Sequence, residues 1–254
     1  MNEVEVVMKT TAAAAMLLAY LMTPSDVRSE TVDLTLVLAA DVSRSIDDHA
    51  FNLQRKGYAA ALTDPRVLHA ILSGRNRAIA ISLIEWSGES EQKVVVDWTV
   101  LRDEEAAGLV AATILTAPRS FAGRTSISGG IDYAMERFAI APAEGDKRIL
   151  DISGDGDNNS GRPVTDARDQ ALAVGITING IAIINTGGGL GPHTNPPGGL
   201  PKYYENNVIG GPGAFLLVVE NFDTFAEAIT RKLVAEIAGL SPRDDIALLS
   251  LPDY

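Results

Sequence analysis

The chain has 254 residues, enough for one large domain with a substantial core or for two small ones. A formal charge of −12 argues against nucleic-acid phosphates or an anionic membrane as the main partner, and 46% apolar with 21% charged residues reads as a globular composition. The absence of cysteine excludes disulfides, thiolate metal sites and cysteine nucleophiles.

From the N-terminus, Met8-Lys9-Thr10-Thr11 leads into AAAAMLLAYLM, residues 12–22. That run is too short to span a bilayer comfortably and suits the apolar segment of a signal peptide, with Val27 and Ser29 at −3 and −1 of a cut before Glu30. Glu3 and Glu5 depart from a basic leader, and a start at Met8 would remove them. Residues 1–29 are therefore expected to be a signal peptide. The mature chain is then expected in the periplasm or outside the cell, with no stable membrane span.

Val32 to Ala40 is a nearly continuous apolar run, which predicts one strand buried on both faces. Asp47 or Asp48 then caps a helix carrying Phe51, Tyr58 and Leu62, and Pro65 to Leu72 is a second short helix. Arg77 to Trp86 is another apolar strand. Lys93 to Thr99 follows it after so short a turn that the pair forms a hairpin, which makes the second strand antiparallel. Helices are predicted over Asp103–Thr116, over Ser126–Phe138 with an Ile127, Ile131, Ala134, Met135, Phe138 stripe, and over Pro163–Val174. Strands are predicted over Lys147–Ile152, Ile176–Ile184 and Ala214–Val219, with a long Gly- and Pro-rich loop from Asn185 to Pro201. A last helix runs over Thr224–Ala238, with Thr224 and Glu227 as a capping box. Strands alternating with helices imply an α/β domain over residues 30–239, with a mostly parallel sheet covered on both faces and one antiparallel edge strand. Residues 240–254 read as a tail.

In such sheets ligands bind beyond the carboxyl ends of the strands. Three polar groupings fall there: DVSRS (41–45), GRTS (123–126) and SGDGDNN (153–159). Asp41, Ser43 and Ser45 alternate, so an extended stretch puts their side chains on one face. With Thr125 and Asp155 they offer five oxygen donors, a set suited to a hard cation such as Mg²⁺. The alternative is that Asp41, Ser43 and Ser45 simply cap the next helix. Only two carboxylates are available, so a divalent ion held there keeps enough pull to bind a further acidic group.

These residues resemble the von Willebrand factor A (vWA) domain: Asp-x-Ser-x-Ser, a distant Thr and a distant Asp-Gly on alternating β and α. The resemblance implies a three-layer αβα Rossmann-like fold and a metal-ion-dependent adhesion site (MIDAS), with Asp41, Ser43, Ser45, Thr125 and Asp155 as metal positions. It implies Mg²⁺, with Mn²⁺ or Ca²⁺ as alternatives, and a protein partner that supplies a Glu or Asp carboxylate. LQRKGYAAALTDP (53–65), EWSG (85–88), TSISGGID (125–132), DISGDGDNN (151–159), GITINGIAI (175–183) and VIGGPGAF (208–215) resemble a subgroup of bacterial exported A-domain proteins. One departure concerns the usual Thr-Asp-Gly, which appears here as Ser153-Gly154-Asp155-Gly156.

Arg44 and Arg124 lie inside two of the polar groupings as solvent-facing residues able to help receive an anionic partner. Asp157, Asn158 and Asn159 read as turn residues, Trp86 as core, and His49, His69 and His193 as scattered surface or packing residues with no zinc pattern. Asp155 to Asp166 fails as a calcium loop, because Ser160 stands where Gly is required. A metal-dependent binding module without enzymatic activity is the reading expected. A metal-dependent hydrolase and a scaffold with a purely structural metal remain alternatives.

Overall fold

The computed structural model describes residues 30–184, 193–220 and 222–239. The expected signal peptide, residues 185–192 of the long loop and the expected tail lie outside the described residues. The strands are β1 (Glu30–Val32), β2 (Leu34–Asp41), β3 (Ile79–Trp86), β4 (Gln92–Leu101), β5 (Ala143–Gly145), β6 (Arg148–Gly154), β7 (Thr177–Ile183) and β8 (Leu216–Val219). The helices are α1 (Asp48–Leu62), α2 (Pro65–Ser73), α3 (Glu104–Thr116), α4 (Ile127–Ala139), α5 (Val164–Ala173), α6 (Leu200–Asn207) and α7 (Phe225–Ala238).

The main sheet has the order β4-β3-β2-β6-β7-β8, and each neighbouring pair is parallel except β3 and β4, the antiparallel hairpin at one edge. All eight residues of β2 are buried, as a strand covered on both faces must be. Leu34, Leu36, Leu38 and Ala40 enter one core with α1, α2, α3 and α7, while Val37 and Ala39 enter the other with α4, α5 and α6. Burial of each of these leucines stabilises the fold by about 2–3 kcal/mol. A Cβ at Gly57 on α1 would sit 2.5 Å from the buried Phe225 ring, so glycine there lets α1 and α7 approach closely.

Three expectations are corrected. The run from Val32 to Ala40 is not one strand. The Asp33 N–H donates to Ala78 O and its Oδ1 accepts from the Asn76 N–H, which turns the chain out of β1 and into β2. β1 instead pairs with β5 in a separate two-stranded sheet. The end of the Gly- and Pro-rich loop is helical, because Pro201 falls in the first turn of α6, where its missing N–H costs nothing. The capping box at Thr224 does not form. Thr224 already has helical dihedrals at the end of a 3₁₀ turn, and the Glu227 carboxylate accepts from Arg66 at 3.0–3.1 Å.

Between α7 and the sheet lies a buried charge cluster that sequence periodicity does not reveal. Lys232 Nζ donates to Asp151 Oδ1 on β6 and to Glu236 Oε1 one turn along α7, and it lies 4.9 Å from the centre of the Phe215 ring. Asn179 Nδ2 donates to the same Glu236 oxygen, and Asn179 Oδ1 accepts from the Phe215 N–H at 3.0 Å. Burial, and after it the Asp151 charge, pushes the Glu236 carboxyl up to about 8.

Candidate metal centre

The strand order reverses between β2 and β6: the chain leaves β2 towards β3 on one side and later returns to β6 on the other. That reversal opens a crevice at the carboxyl ends of the two strands. The β2–β6 register ends with Ala40 beside Ser153, so Asp41 and Gly154 leave the sheet side by side and Asp155 follows at once. A Cβ at Gly154 would lie 3.0 Å from Asp41 Oδ2 and 2.6 Å from the buried Tyr204 hydroxyl, and only glycine leaves room for that carboxylate.

All five residues expected from the sequence meet here. Asp41 Oδ1 accepts the Ser43 N–H at 2.7 Å. The Ser45 hydroxyl donates to Asp155 Oδ1 at 2.5 Å, and Ser43 Oγ lies 3.2 Å from Ser45 Oγ and 3.4 Å from Thr125 Oγ1. Asp41, Ser43, Thr125 and Asp155 are buried, and Ser45 is half-buried.

The three turns are tied to one another through residues that the motif does not contain. The Ser126 N–H donates to Ser87 O at 2.8 Å, and the Gly123 N–H donates to Ser87 Oγ at 2.7 Å, which fixes the Thr125 turn to the end of β3. The Arg44 N–H donates to Gly123 O at 3.0 Å, joining the first turn to the second. The Asn159 N–H donates to Thr125 O at 2.9 Å, and Asn159 Oδ1 accepts the Thr125 N–H at 3.2 Å, joining the second to the third. From below, Arg119 Nη2 donates to the carbonyls of Val42, Ser43 and Ile46 at 2.7–3.1 Å. Ser87 lies in the EWSG stretch already singled out in the sequence. Arg119 gives no local sign of this role, because the first-turn carbonyls it holds lie more than 70 residues away.

The electrostatics suit a cation. Asp41 Oδ2 and Asp155 Oδ2 are both buried and have no hydrogen-bond partner, and neither residue has an ion-pair partner among the described residues. Desolvation, and after it the Asp155 charge, pushes the Asp41 carboxyl up to about 8, and burial also raises Asp155. Two neighbouring carboxylates with orphaned oxygens are costly unless one takes a proton or a positive charge lies between them. Among the described residues no three or more His, Cys, Asp or Glu side chains gather as a metal cluster. The donor set here therefore depends on hydroxyls, which suits a hard, oxygen-seeking ion.

Three further residues near the centre escaped the sequence reading. Tyr204 on α6 places its buried hydroxyl beside Gly154, and burial with the Asp41 and Asp155 charges raises its ionisation well above the ordinary phenol value. Tyr58 Oη lies 3.1 Å from Ser153 Oγ under the third turn. His193, read as a scattered histidine, is at the site: its Nδ1 lies 2.9 Å from Asp157 Oδ1, and its carbonyl accepts the Asp157 N–H at 2.8 Å. Trp86 is core, as expected, fully buried with its indole against Gly130.

A family model described as "Protein of unknown function (DUF1194)" matches residues 31–241. The chain belongs to that family. No curated protein matches it. Solved structures share its fold at low identity. Proximal thread matrix protein 1 from the mussel byssus, "with zinc occupied MIDAS motif", superimposes with a TM-score of 0.60 at 20% identity, covering 83% of this chain and 49% of that one. The pilus adhesin SpaC from Lactobacillus rhamnosus GG gives 0.57 at 15% identity, covering 83% and 30%. A von Willebrand factor type A protein from Catenulispora acidiphila gives 0.53 at 17%, covering 82% and 43%. The chain thus spans about half or less of the length of these proteins. The DUF1194 chain has the vWA fold: three layers, with a mostly parallel sheet and one antiparallel edge strand.

Proposed function

We propose that this DUF1194 protein is a metal-dependent binding module. Asp41, Ser43, Ser45, Thr125 and Asp155 hold one divalent cation, Mg²⁺ first and Mn²⁺ or Ca²⁺ as alternatives, and the ion takes a Glu or Asp carboxylate from a partner protein. The observation that carries the reading is the pair of buried, unpartnered oxygens, Asp41 Oδ2 and Asp155 Oδ2, on residues gathered with three hydroxyls at the reversal of strand order. Neutral hydroxyls leave a bound ion electrophilic, which is what capture of a partner's acid requires. The zinc-occupied MIDAS of the mussel protein supports a divalent ion in this fold. The apolar run at residues 12–22 supports export to the periplasm or beyond, and no helix among the described residues is long and apolar enough to cross a membrane.

The test is partner capture from periplasmic extract by the intact protein in Mg²⁺. Capture is expected to disappear in a chelator and in Ser43→Ala. Equal capture under all three conditions would assign binding to another face and leave the metal a staple for the turns.

A second reading, metal-assisted hydrolysis, has one observation in its favour: the His193–Asp157 pair is a carboxylate-oriented imidazole at the edge of the same crevice. Metal-dependent turnover of a phosphoester panel that vanishes in both Asp155→Asn and His193→Ala would move the protein into that class. No turnover is expected.

A further inference from the structure

Above the five donors the crevice widens into a cleft of about 500 Å³ with two arginines in its lining. The lining includes Arg44, Arg124, Asn159 and His193, and no Asp or Glu among the described residues. In a chain with 33 acidic and 21 basic residues, this lining holds two arginines, and the nearest acids, Asp157 on His193 and Glu91 beside Gly123, lie behind it. Arg44 is exposed, and its guanidinium has no hydrogen bond or ion pair among the described residues, while its backbone N–H anchors the residue to Gly123 O. Arg124 is exposed too. Its guanidinium donates to Asn159 O and Asn159 Oδ1, both neutral acceptors, so it is oriented at the rim without being neutralised.

A single carboxylate on the ion would leave both arginines unused. A guanidinium presents a planar fork that matches a carboxylate, and at a partly enclosed rim the pair outlasts the screening that weakens fully exposed ones. The long-range field of a chain at −12 repels acidic partners, so selection for one must come from charges placed at the cleft itself.

We propose that the ligand of this cleft is an acidic peptide segment with at least two carboxylates, one taken by the ion at the five donors and a second paired with Arg44 and Arg124. The proposal rests on the metal-dependent binding reading above, and it makes the two arginines the residues that choose between mono-acidic and poly-acidic segments.

The experiment is an NMR titration of the Mg²⁺-loaded, ¹⁵N-labelled protein with Gly-Ser peptides carrying one Glu, or two Glu separated by none to three residues. The best two-Glu peptide is expected to bind roughly five- to tenfold more tightly than the one-Glu peptide. Arg44→Ala, whose side chain bonds nothing among the described residues, should remove part of that advantage. Arg44→Ala with Arg124→Ala should remove all of it, with Mg²⁺-dependent binding of the one-Glu peptide retained. Equal binding of one-Glu and two-Glu peptides, or an advantage that survives in the double variant, overturns the proposal and leaves the metal reading standing. Failure of every peptide to bind in a Mg²⁺-dependent way overturns both.

Discussion

Asp41→Asn is expected to weaken Mg²⁺ binding by roughly 100-fold or more and, at the same time, to make the metal-free protein more stable. The two effects share one cause. Asp41 lies fully buried at the end of β2, with one oxygen on the Ser43 N–H and the other on nothing, next to a second buried carboxylate at Asp155. The amide keeps the acceptor for Ser43 and removes the charge. Without an ion, the cost of burying the Asp41 acid, first from desolvation and then from the Asp155 charge, disappears, a gain of about 1–3 kcal/mol. With an ion offered, the site has lost one of its two charged donors. Calorimetric Mg²⁺ titration reads the first effect, and urea unfolding in a chelator reads the second. Wild type, but not the variant, should also unfold at higher urea when Mg²⁺ is added, by the free energy of binding. Unchanged Mg²⁺ affinity with lower stability in the chelator would make Asp41 a cap for the DVSRS turn and remove the metal centre.

Lys232→Met is expected to destabilise the fold by about 3–5 kcal/mol, among the largest losses available outside the apolar core. Lys232 is buried with one cation set against two carboxylates, Asp151 and Glu236, under a helix that has no other charge anchor to the sheet among the described residues. Removing the ammonium leaves two buried acids facing each other, with Asn179 and the hydroxyl of Tyr58 as the remaining polar neighbours. The same cluster sets a pH dependence. The Glu236 carboxyl is raised in the folded state from an ordinary 4.5 to about 8, so between those values the folded chain keeps a proton that the unfolded chain releases. The associated stability is fully present below about 4.5 and is lost as pH rises through about 8. Urea unfolding should therefore show stability falling over that interval, with a Glu236 contribution on the order of 5 kcal/mol, and Glu236→Gln should remove that contribution and leave the one from Asp41, which also rises to about 8. A Lys232→Met protein as stable as wild type, or a Glu236→Gln slope equal to wild type, would show that the cluster is solvated in solution.

How much of this could be read from residues alone depends on the range over which each signal acts. The apolar run after Val32, the turn-linked pair of strands up to Thr99 and the Ile127–Phe138 stripe are set by neighbours within a few positions, and each appears as an element within one or two residues of its expected bounds. Where the expectation failed, a contact from elsewhere decided. Asp33 breaks the first strand because Asn76 and Ala78 hold it. Glu227 leaves the capping box for Arg66, 161 residues away.

The sequence by itself determined the donor types, their order along the chain and the elements that carry them, because strand periodicity, caps and turns are local properties of the backbone. Tertiary structure alone decided that three turns meet at one point, through the order β3-β2-β6 and the register that sets Asp41 beside Gly154. It also decided that Arg119, Tyr204 and His193 join the centre, and that Lys232 is neutralised beneath α7 by an acid 81 residues away. Hydrogen bonds and charge pairs of that kind fall with distance in space, not with separation along the chain, and only the folded sheet converts one into the other.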